Sequence, residues 1–149
     1  MQEDKKRVLA IDYGDKNIGL AITDPLGIMA VPLLTIVRKD IHTIKPYVAQ
    51  IGEIIKENNV GLIVVGLPKN MNGTLGERAE ITQDFAERLS RNFKKVEILL
   101  WDERLSSVSA SRILSEQNIK AKNQKQLIDQ VSACIILQNY MDYAQKNER

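Results

Sequence analysis

The sequence is poor in the residues that define several common protein classes. It has one cysteine, Cys134, and one histidine, His42, so an internal disulfide and a His/Cys zinc cluster are both excluded. No apolar run approaches the ~20 residues of a membrane span, and the charged start, MQEDKKR, lacks the apolar core of a signal peptide. A chain with one cysteine is typical of a reducing compartment. We therefore expect a cytoplasmic protein with no membrane partner.

The chain also lacks a strong excess of either charge. Its 21 Lys and Arg residues against 19 Asp and Glu residues give a formal net charge of +2. A sum this small neither requires nor excludes a nucleic-acid partner, because local patches matter more, and it leaves the oligomeric state open. The length of 149 residues and the apolar content of 44% fit one domain with a sizeable core. We expect residues 1–149 to form that single domain.

The chain is organised around one stretch, VLAIDYGDKNIGLAITD, from Val8 to Asp24. It contains two β-type runs joined by a tight polar link, which is the usual signal of a hairpin. A third extended run at 28–37 contains Pro32, which predicts an edge strand. The later elements are a helix at 41–58, a strand at 61–66, a helix from Leu75 with a Thr74–Glu77 capping box, a strand at 96–101, a helix at 105–117, a polar loop at 118–124 and a helix from 125 to about 146.

This order of elements predicts an α/β fold. Three antiparallel N-terminal strands would be followed by two parallel strands in one five-stranded mixed sheet, with helices on both faces. In open α/β sheets, ligands bind beyond the carboxyl ends of the strands. A functional site is therefore expected at the carboxyl ends of the predicted strands.

Carboxylates cluster at those ends. Asp12 ends the first strand, Asp102 and Glu103 end the fifth, and Asp129 lies near the start of the last helix, on its inward stripe with Ala133. Converging carboxylates repel one another, and a hard cation such as Mg²⁺ or Mn²⁺ relieves the repulsion. Paired cations would then assist the hydrolysis of a phosphodiester. Two alternatives stay open: Asp129 as an ordinary first-turn acid, and either Asp102 or Glu103 as the inward acid, because neighbouring strand residues alternate faces.

Basic and turn-forming residues accompany these acids. Lysines and an arginine near the acids could hold a phosphate backbone, and the loop before the helix at Leu75 could bind phosphate through free N–H groups. The alternative for each is a solvated charge or an ordinary capped loop. The candidate nucleic-acid contacts are Lys16, Lys69, Asn72, Gly73, Thr74, Arg104, Lys120, Lys122 and Lys125.

Four motifs, IDYGDKNIGLAITD, VVGLPKNMNGT, DERLSS and LIDQVSAC, occur in an order that resembles the YqgF/RuvX family. The resemblance covers nearly the whole chain and implies a ribonuclease H-like fold. It also implies a nuclease that resolves Holliday junctions or matures the 5′ end of pre-16S rRNA, leaving a 5′-phosphate. By resemblance, Asp12, Glu103 and Asp129 are the metal-binding catalytic acids and Arg104 completes the DER motif. Asn17 stands where an arginine is common in the family, so one backbone contact is expected to be lost.

Three functions follow as hypotheses. The first is a Mg²⁺- or Mn²⁺-dependent nuclease acting on branched DNA or on pre-16S rRNA, with ribosome association. The second is a nucleic-acid or ribosome-assembly binding protein without catalysis, which the same basic loops would serve. The third is a nucleotide phosphotransferase of the actin-like type, which normally needs two such domains. The sequence alone does not separate an RNA substrate from a DNA substrate.

Overall fold

The computed structural model describes residues 6–40, 42–68, 72–103 and 121–147, with side chains in the last helix described from 128 to 146. The chain forms five strands and three helices over these residues. In chain order they are β1 Arg7–Tyr13, β2 Asn17–Thr23, β3 Ala30–Val37, α1 Lys45–Asn58, β4 Val60–Leu67, α2 Glu77–Asn92, β5 Glu97–Asp102 and α3 Ala121–Asn147.

The five strands form one mixed sheet in the order β3-β2-β1-β4-β5. β2 is antiparallel to both β1 and β3, whereas β1, β4 and β5 run parallel to one another. The predicted mixed sheet is therefore confirmed, with β4 between β1 and β5. β3 is an edge strand, as Pro32 predicted, and Pro32 pairs with Ala21 next to a register shift. The three parallel strands place their carboxyl ends along one edge.

Alternating side chains of the sheet build two separate cores. Leu9, Ile11 and Ile63 point to the face covered by α1 and α2, where they pack with residues such as Ile51 and Leu89. The opposite face carries a second cluster against α3, formed by Ala10, Ala21, Val64, Ala133, Cys134, Ile136 and Leu137. Because successive strand residues face opposite ways, the uninterrupted apolar run of β1 supplies both cores. Helices on both faces of the sheet are thus confirmed.

α3 is the longest element, with 27 residues. Its middle faces the sheet, whereas Ile128 near its start and Tyr143 near its end are exposed. The prediction that its apolar residues pack nearly all round therefore holds for the middle of the helix and not for its ends. None of the helices in the described part of the chain has the length and apolar character that crossing a membrane requires.

The predicted helix starts are wrong by two to four residues. α1 begins at Lys45 and not at 41, with Pro46 in its first turn; ahead of it, the Asp40 carboxylate accepts hydrogen bonds from the His42 N–H and the Thr43 hydroxyl. Such local side-chain bonds offer the backbone an alternative to the helix. α3 begins at Ala121, inside the stretch 118–124 that was predicted as a loop. The predicted helix at 105–117 lies outside the described residues.

The predicted capping box is also wrong. α2 begins at Glu77 with Gly76 as its N-cap and no side-chain cap. The Thr74 hydroxyl instead donates to the side-chain oxygen of Asn72 at 2.6 Å. The Thr74 hydroxyl therefore stabilises the turn that precedes α2.

Candidate active site

Strand geometry brings two of the predicted acids to one edge of the sheet. Asp12 is the penultimate residue of β1 and pairs with Gly19 of β2. Glu103 directly follows β5, whose last residue pairs with Leu67 at the end of β4. β4 lies between them, so the two carboxylates approach each other from strands that are not neighbours. Both lie at the carboxyl ends of the parallel strands, where ligands of open α/β sheets bind.

The third acid reaches this edge because a glycine lets α3 approach the sheet. A Cβ atom on Gly19 would collide with the backbone carbonyl group of Asp129 and would lie 2.8 Å from the Asp129 Cβ. Only a residue without a side chain therefore allows this approach. The pairing of Asp12 with Gly19 then brings Asp12 and Asp129 together.

A second glycine makes room for Glu103. An added Cβ on Gly66 of β4 would lie 2.8 Å from Oε1 of Glu103 and 2.5 Å from Cδ1 of Ile136. The Glu103 carboxylate thus lies over β4, on the side that faces α3. Of the two alternatives left open by the sequence, Glu103 is the acid for which the sheet leaves this space. A cavity of about 160 Å³ opens beside it, lined by Trp101, Glu103, Ser132, Ile135, Ile136 and Asn139.

The three carboxylates affect one another electrostatically. Burial raises the pKa of Asp12 to about 6 and the negative charge of Asp129 adds to the rise, while Arg78 and a hydrogen bond from Ser132 oppose it. Burial also raises the pKa of Glu103 to about 7, and the negative charge of Asp12 is the next largest cause of this rise. Burial raises the pKa of Asp129 above its ordinary value, against a hydrogen bond from Asn17.

Asp12 is the member that the other two acids share. It interacts with Asp129 on one side and with Glu103 on the other. Over the residues that the structure describes, no three His, Cys, Asp or Glu side chains form a ready group for a single metal ion. The arrangement is therefore two overlapping acid pairs with Asp12 in the middle.

Asn17, where the resemblance implied only a lost contact, has a partner in this site. Its side chain hydrogen-bonds the Asp129 carboxylate and opposes the rise in the pKa of that group. The residue begins β2, next to the hairpin turn. It therefore ties the start of β2 to the acid on α3.

Arg78 also lies beside these acids, and the sequence motifs did not point to it. Its Nη2 donates to the carbonyl oxygen of Tyr13 at 2.8 Å, and its Nη1 lies 2.5 Å from the Asp15 carboxylate. It also lowers the pKa of both Asp12 and Glu103. A signal existed: α2 connects the parallel strands β4 and β5, so its first turn must lie at the edge where β4 ends.

The predicted nucleic-acid contacts are only partly described. Lys16 lies exposed in the hairpin turn next to Asp12. Asn72, Gly73 and Thr74 form a tight turn in which the Asn72 side chain accepts from the Thr74 N–H at 3.1 Å and Gly73 has a φ of 88°. Five predictions lie outside the described residues or side chains: Lys69, Arg104, Lys120, Lys122 and Lys125.

Comparison with known proteins agrees with this architecture. The family model described as "RuvX: Holliday junction resolvase" matches residues 6–143. A relative from Lachnospira eligens named "Putative pre-16S rRNA nuclease" is 44% identical over 140 residues, which cover 94% of this chain and 99% of the relative. One of the same name from Ruminiclostridium cellulolyticum is 46% identical over 143 residues, covering 96% and 99%.

Similarity to solved structures identifies the fold. The chain is similar to Thermus thermophilus RuvC in complex with a Holliday junction substrate, with a TM-score of 0.64, 14% identity and coverage of 96% of this chain and 97% of that chain. The ribonuclease H-like fold implied by the sequence motifs is therefore confirmed. The prediction of an enzyme that hydrolyses phosphodiester bonds is confirmed as well. Because the family model spans almost the whole chain, the protein belongs to the RuvX Holliday junction resolvase family.

Proposed function

We propose that the protein is a Mg²⁺- or Mn²⁺-dependent nuclease for structured nucleic acid, with Asp12, Glu103 and Asp129 as its metal-binding and catalytic acids. One observation carries this proposal: the half-buried Asp12 interacts with two other acids, Asp129 and Glu103, and its pKa is raised to about 6 by burial and by Asp129. Ionised carboxylates held this way are costly without a compensating cation. Oxygen is the donor that Mg²⁺ and Mn²⁺ prefer, so the carboxylate oxygens of these three residues suit either cation.

Hydrogen bonds from neighbouring residues favour the charged form of the acids. Ser132 donates a hydrogen bond to Asp12 and Asn17 donates one to Asp129, and both bonds favour the charged carboxylate that a cation needs. When bound, the cation would supply Lewis acidity to the phosphate and to the attacking water. The products would be a 5′-phosphate and a 3′-hydroxyl.

We propose the 5′ extension of pre-16S rRNA as the first substrate and branched DNA as the second. Relatives that are 44–46% identical carry the pre-16S rRNA name, whereas the junction-bound RuvC is 14% identical. Exposed Lys16 and the turn at Asn72–Thr74 would contact the backbone. Lys69, Arg104, Lys120, Lys122 and Lys125 are proposed for the same role from the sequence. Such a substrate also implies a cytoplasmic location and contact with the ribosome.

The test is cleavage of a labelled pre-16S RNA fragment and of a four-way DNA junction, each with Mg²⁺, Mn²⁺ or EDTA. Asp12→Asn, Glu103→Gln and Asp129→Asn should each lower the rate at least ~100-fold, since even residues that merely support metal ligands change activity by ~10–100-fold. Asp84→Asn is the matched control, because Asp84 lies exposed on α2.

Two results would contradict the proposal. Cleavage by Asp12→Asn as fast as by the wild type in the presence of Mg²⁺ would remove the metal assignment. Alternatively, tight binding of either nucleic acid without product at any metal concentration would favour a binding protein without catalysis. The preferred substrate is the one with the higher kcat/KM.

A further inference from the structure

The hairpin turn after Asp12 is fixed from two sides by arginines of distant elements. On one side, Arg78 of α2 donates from Nη2 to the carbonyl oxygen of Tyr13 at 2.8 Å and pairs through Nη1 with the Asp15 carboxylate. Tyr13 is the residue directly after Asp12, so this contact acts one peptide unit from the central acid. The ion pair spans 63 residues of sequence and joins α2 to the turn.

On the other side, Arg38 follows β3 and binds the next part of the turn. Its Nη1 donates to the carbonyl oxygen of Gly14 at 3.0 Å, and its backbone N–H donates to that of Lys16 at 2.8 Å. Its guanidinium also lies 5.0 Å from the centre of the Tyr13 ring. Arg38 therefore anchors the turn to the edge of the sheet, while Arg78 anchors it to α2.

We propose that Arg78 is a positioning residue for the cleavage reaction, which holds the Asp12 carboxylate in place by bracing the turn against α2. This inference rests on the proposed function of Asp12. Two nitrogens of Arg78 engage protein groups, Tyr13 and Asp15, which is the geometry of a brace and not of a side chain reserved for a phosphate. A lysine has a single nitrogen and cannot reproduce this planar fork.

The decisive variant is therefore Arg78→Lys, which keeps the charge and loses the fork. We expect kcat to fall ~10–100-fold and Mn²⁺ to bind more weakly by a similar factor, as for residues that orient metal ligands. KM for the labelled RNA should change less than ~2-fold, because substrate binding is untouched. Arg91→Lys is the matched control, since Arg91 is exposed on the same helix, and it should behave as the wild type.

Asp15→Asn supplies an independent second arm. It removes the same ion pair from the exposed side of the turn and leaves Arg78 in place, so kcat should fall ~3–10-fold. The double variant should match Arg78→Lys within ~2-fold, because Arg78→Lys already disturbs the ion pair that Asp15→Asn removes, and effects on a shared contact are not additive. Mn²⁺ affinity is measured by calorimetry, and thermal unfolding establishes that each variant is folded at the assay temperature.

Several results would overturn this role. Wild-type kcat and Mn²⁺ affinity in Arg78→Lys would do so, as would a raised KM with unchanged kcat, which marks a phosphate contact instead. Should Arg78→Lys fail to fold, a wild-type kcat in Asp15→Asn would decide against the brace. A wild-type protein that neither binds Mn²⁺ nor makes product overturns the proposed function itself, and with it the role of Arg78. The two failures are thus distinguishable.

Discussion

Removing the central acid should make the metal-free protein more stable. Raising the pKa of Asp12 from 3.8 to about 6 means that ionising it costs the folded protein about 3 kcal/mol more than the unfolded chain, at ~1.4 kcal/mol per pKa unit. Asn keeps the shape and an acceptor oxygen but carries no charge. After allowance for imperfect replacement of the carboxylate, we expect Asp12→Asn to gain about 2 kcal/mol at pH 8 in EDTA, or about 4–8 °C in Tm for a chain of this size.

The pH dependence of this gain has a definite sign. An acid with a raised pKa binds its proton more tightly in the folded state, so its protonation stabilises the fold at low pH. That stability is lost as the pH rises from about 4, where the unfolded chain ionises, through about 6 for Asp12 and about 7 for Glu103. The wild type and Asp12→Asn should therefore have similar Tm values near pH 4 and should diverge as the pH approaches 8.

The assay is thermal unfolding followed by circular dichroism in EDTA, at several pH values from 4 to 8. Asp84→Asn, an exposed acid on α2, controls for the loss of one negative charge. If Asp12→Asn is no more stable than the wild type at pH 8, Asp12 does not occupy a costly buried position. The electrostatic reasoning for a metal site would then be refuted.

Three further predictions concern the same structure. Mg²⁺ should raise the Tm of the wild type more at pH 8 than at pH 5, where Asp12 and Glu103 are largely protonated, because a cation binds the ionised form; equal shifts would argue against these ligands. Gly19→Ala should cost about 1–3 kcal/mol in a denaturant titration and slow cleavage ~100-fold, because its Cβ displaces Asp129; Gly52→Ala, which meets only the Phe93 ring at 3.1 Å, should cleave normally. Burial raises the pKa of the Cys134 thiol to about 12, so a thiol reagent at pH 8 should label it only after unfolding, and rapid labelling of the native protein would contradict its burial.

Much of the fold could be predicted from the sequence because its strands are short apolar runs bounded by turn residues. The run ending at Asp12 indicated a strand, Pro32 indicated an edge, and the order of hairpins and crossovers indicated a mixed sheet. Helix starts were less predictable. Side-chain hydrogen bonds such as those of Asp40 and Asn72 compete with helical bonds, and neither left a periodic signal in the sequence.

The acids that lie at this edge could be named from the sequence, and their neighbours could not. Strand ends indicated Asp12 and either Asp102 or Glu103, the family resemblance selected Glu103, and the inward stripe of the last helix indicated Asp129; their role as a metal site stays a prediction. The contacts of Asn17, Arg78 and Ser132 depend on how separate elements approach one another, which sequence spacing alone does not specify. Gly19 and Gly66 are points of close approach, and the residues that approach them could not be named from the sequence.

A half-buried carboxylate at the end of β1 is stabilised by a positive partner, and the structure supplies that partner only in part. Among the described residues, Arg78 is the one cation that lowers the pKa of Asp12 and of Glu103, and its charge is already paired with Asp15. One shared guanidinium against three acids leaves an excess of negative charge at this edge. Burial is the main cause of the raised pKa values of Asp12 and Glu103, and neighbouring acids add to the rise, which this one guanidinium only partly opposes. A divalent cation is the charge that would balance the site.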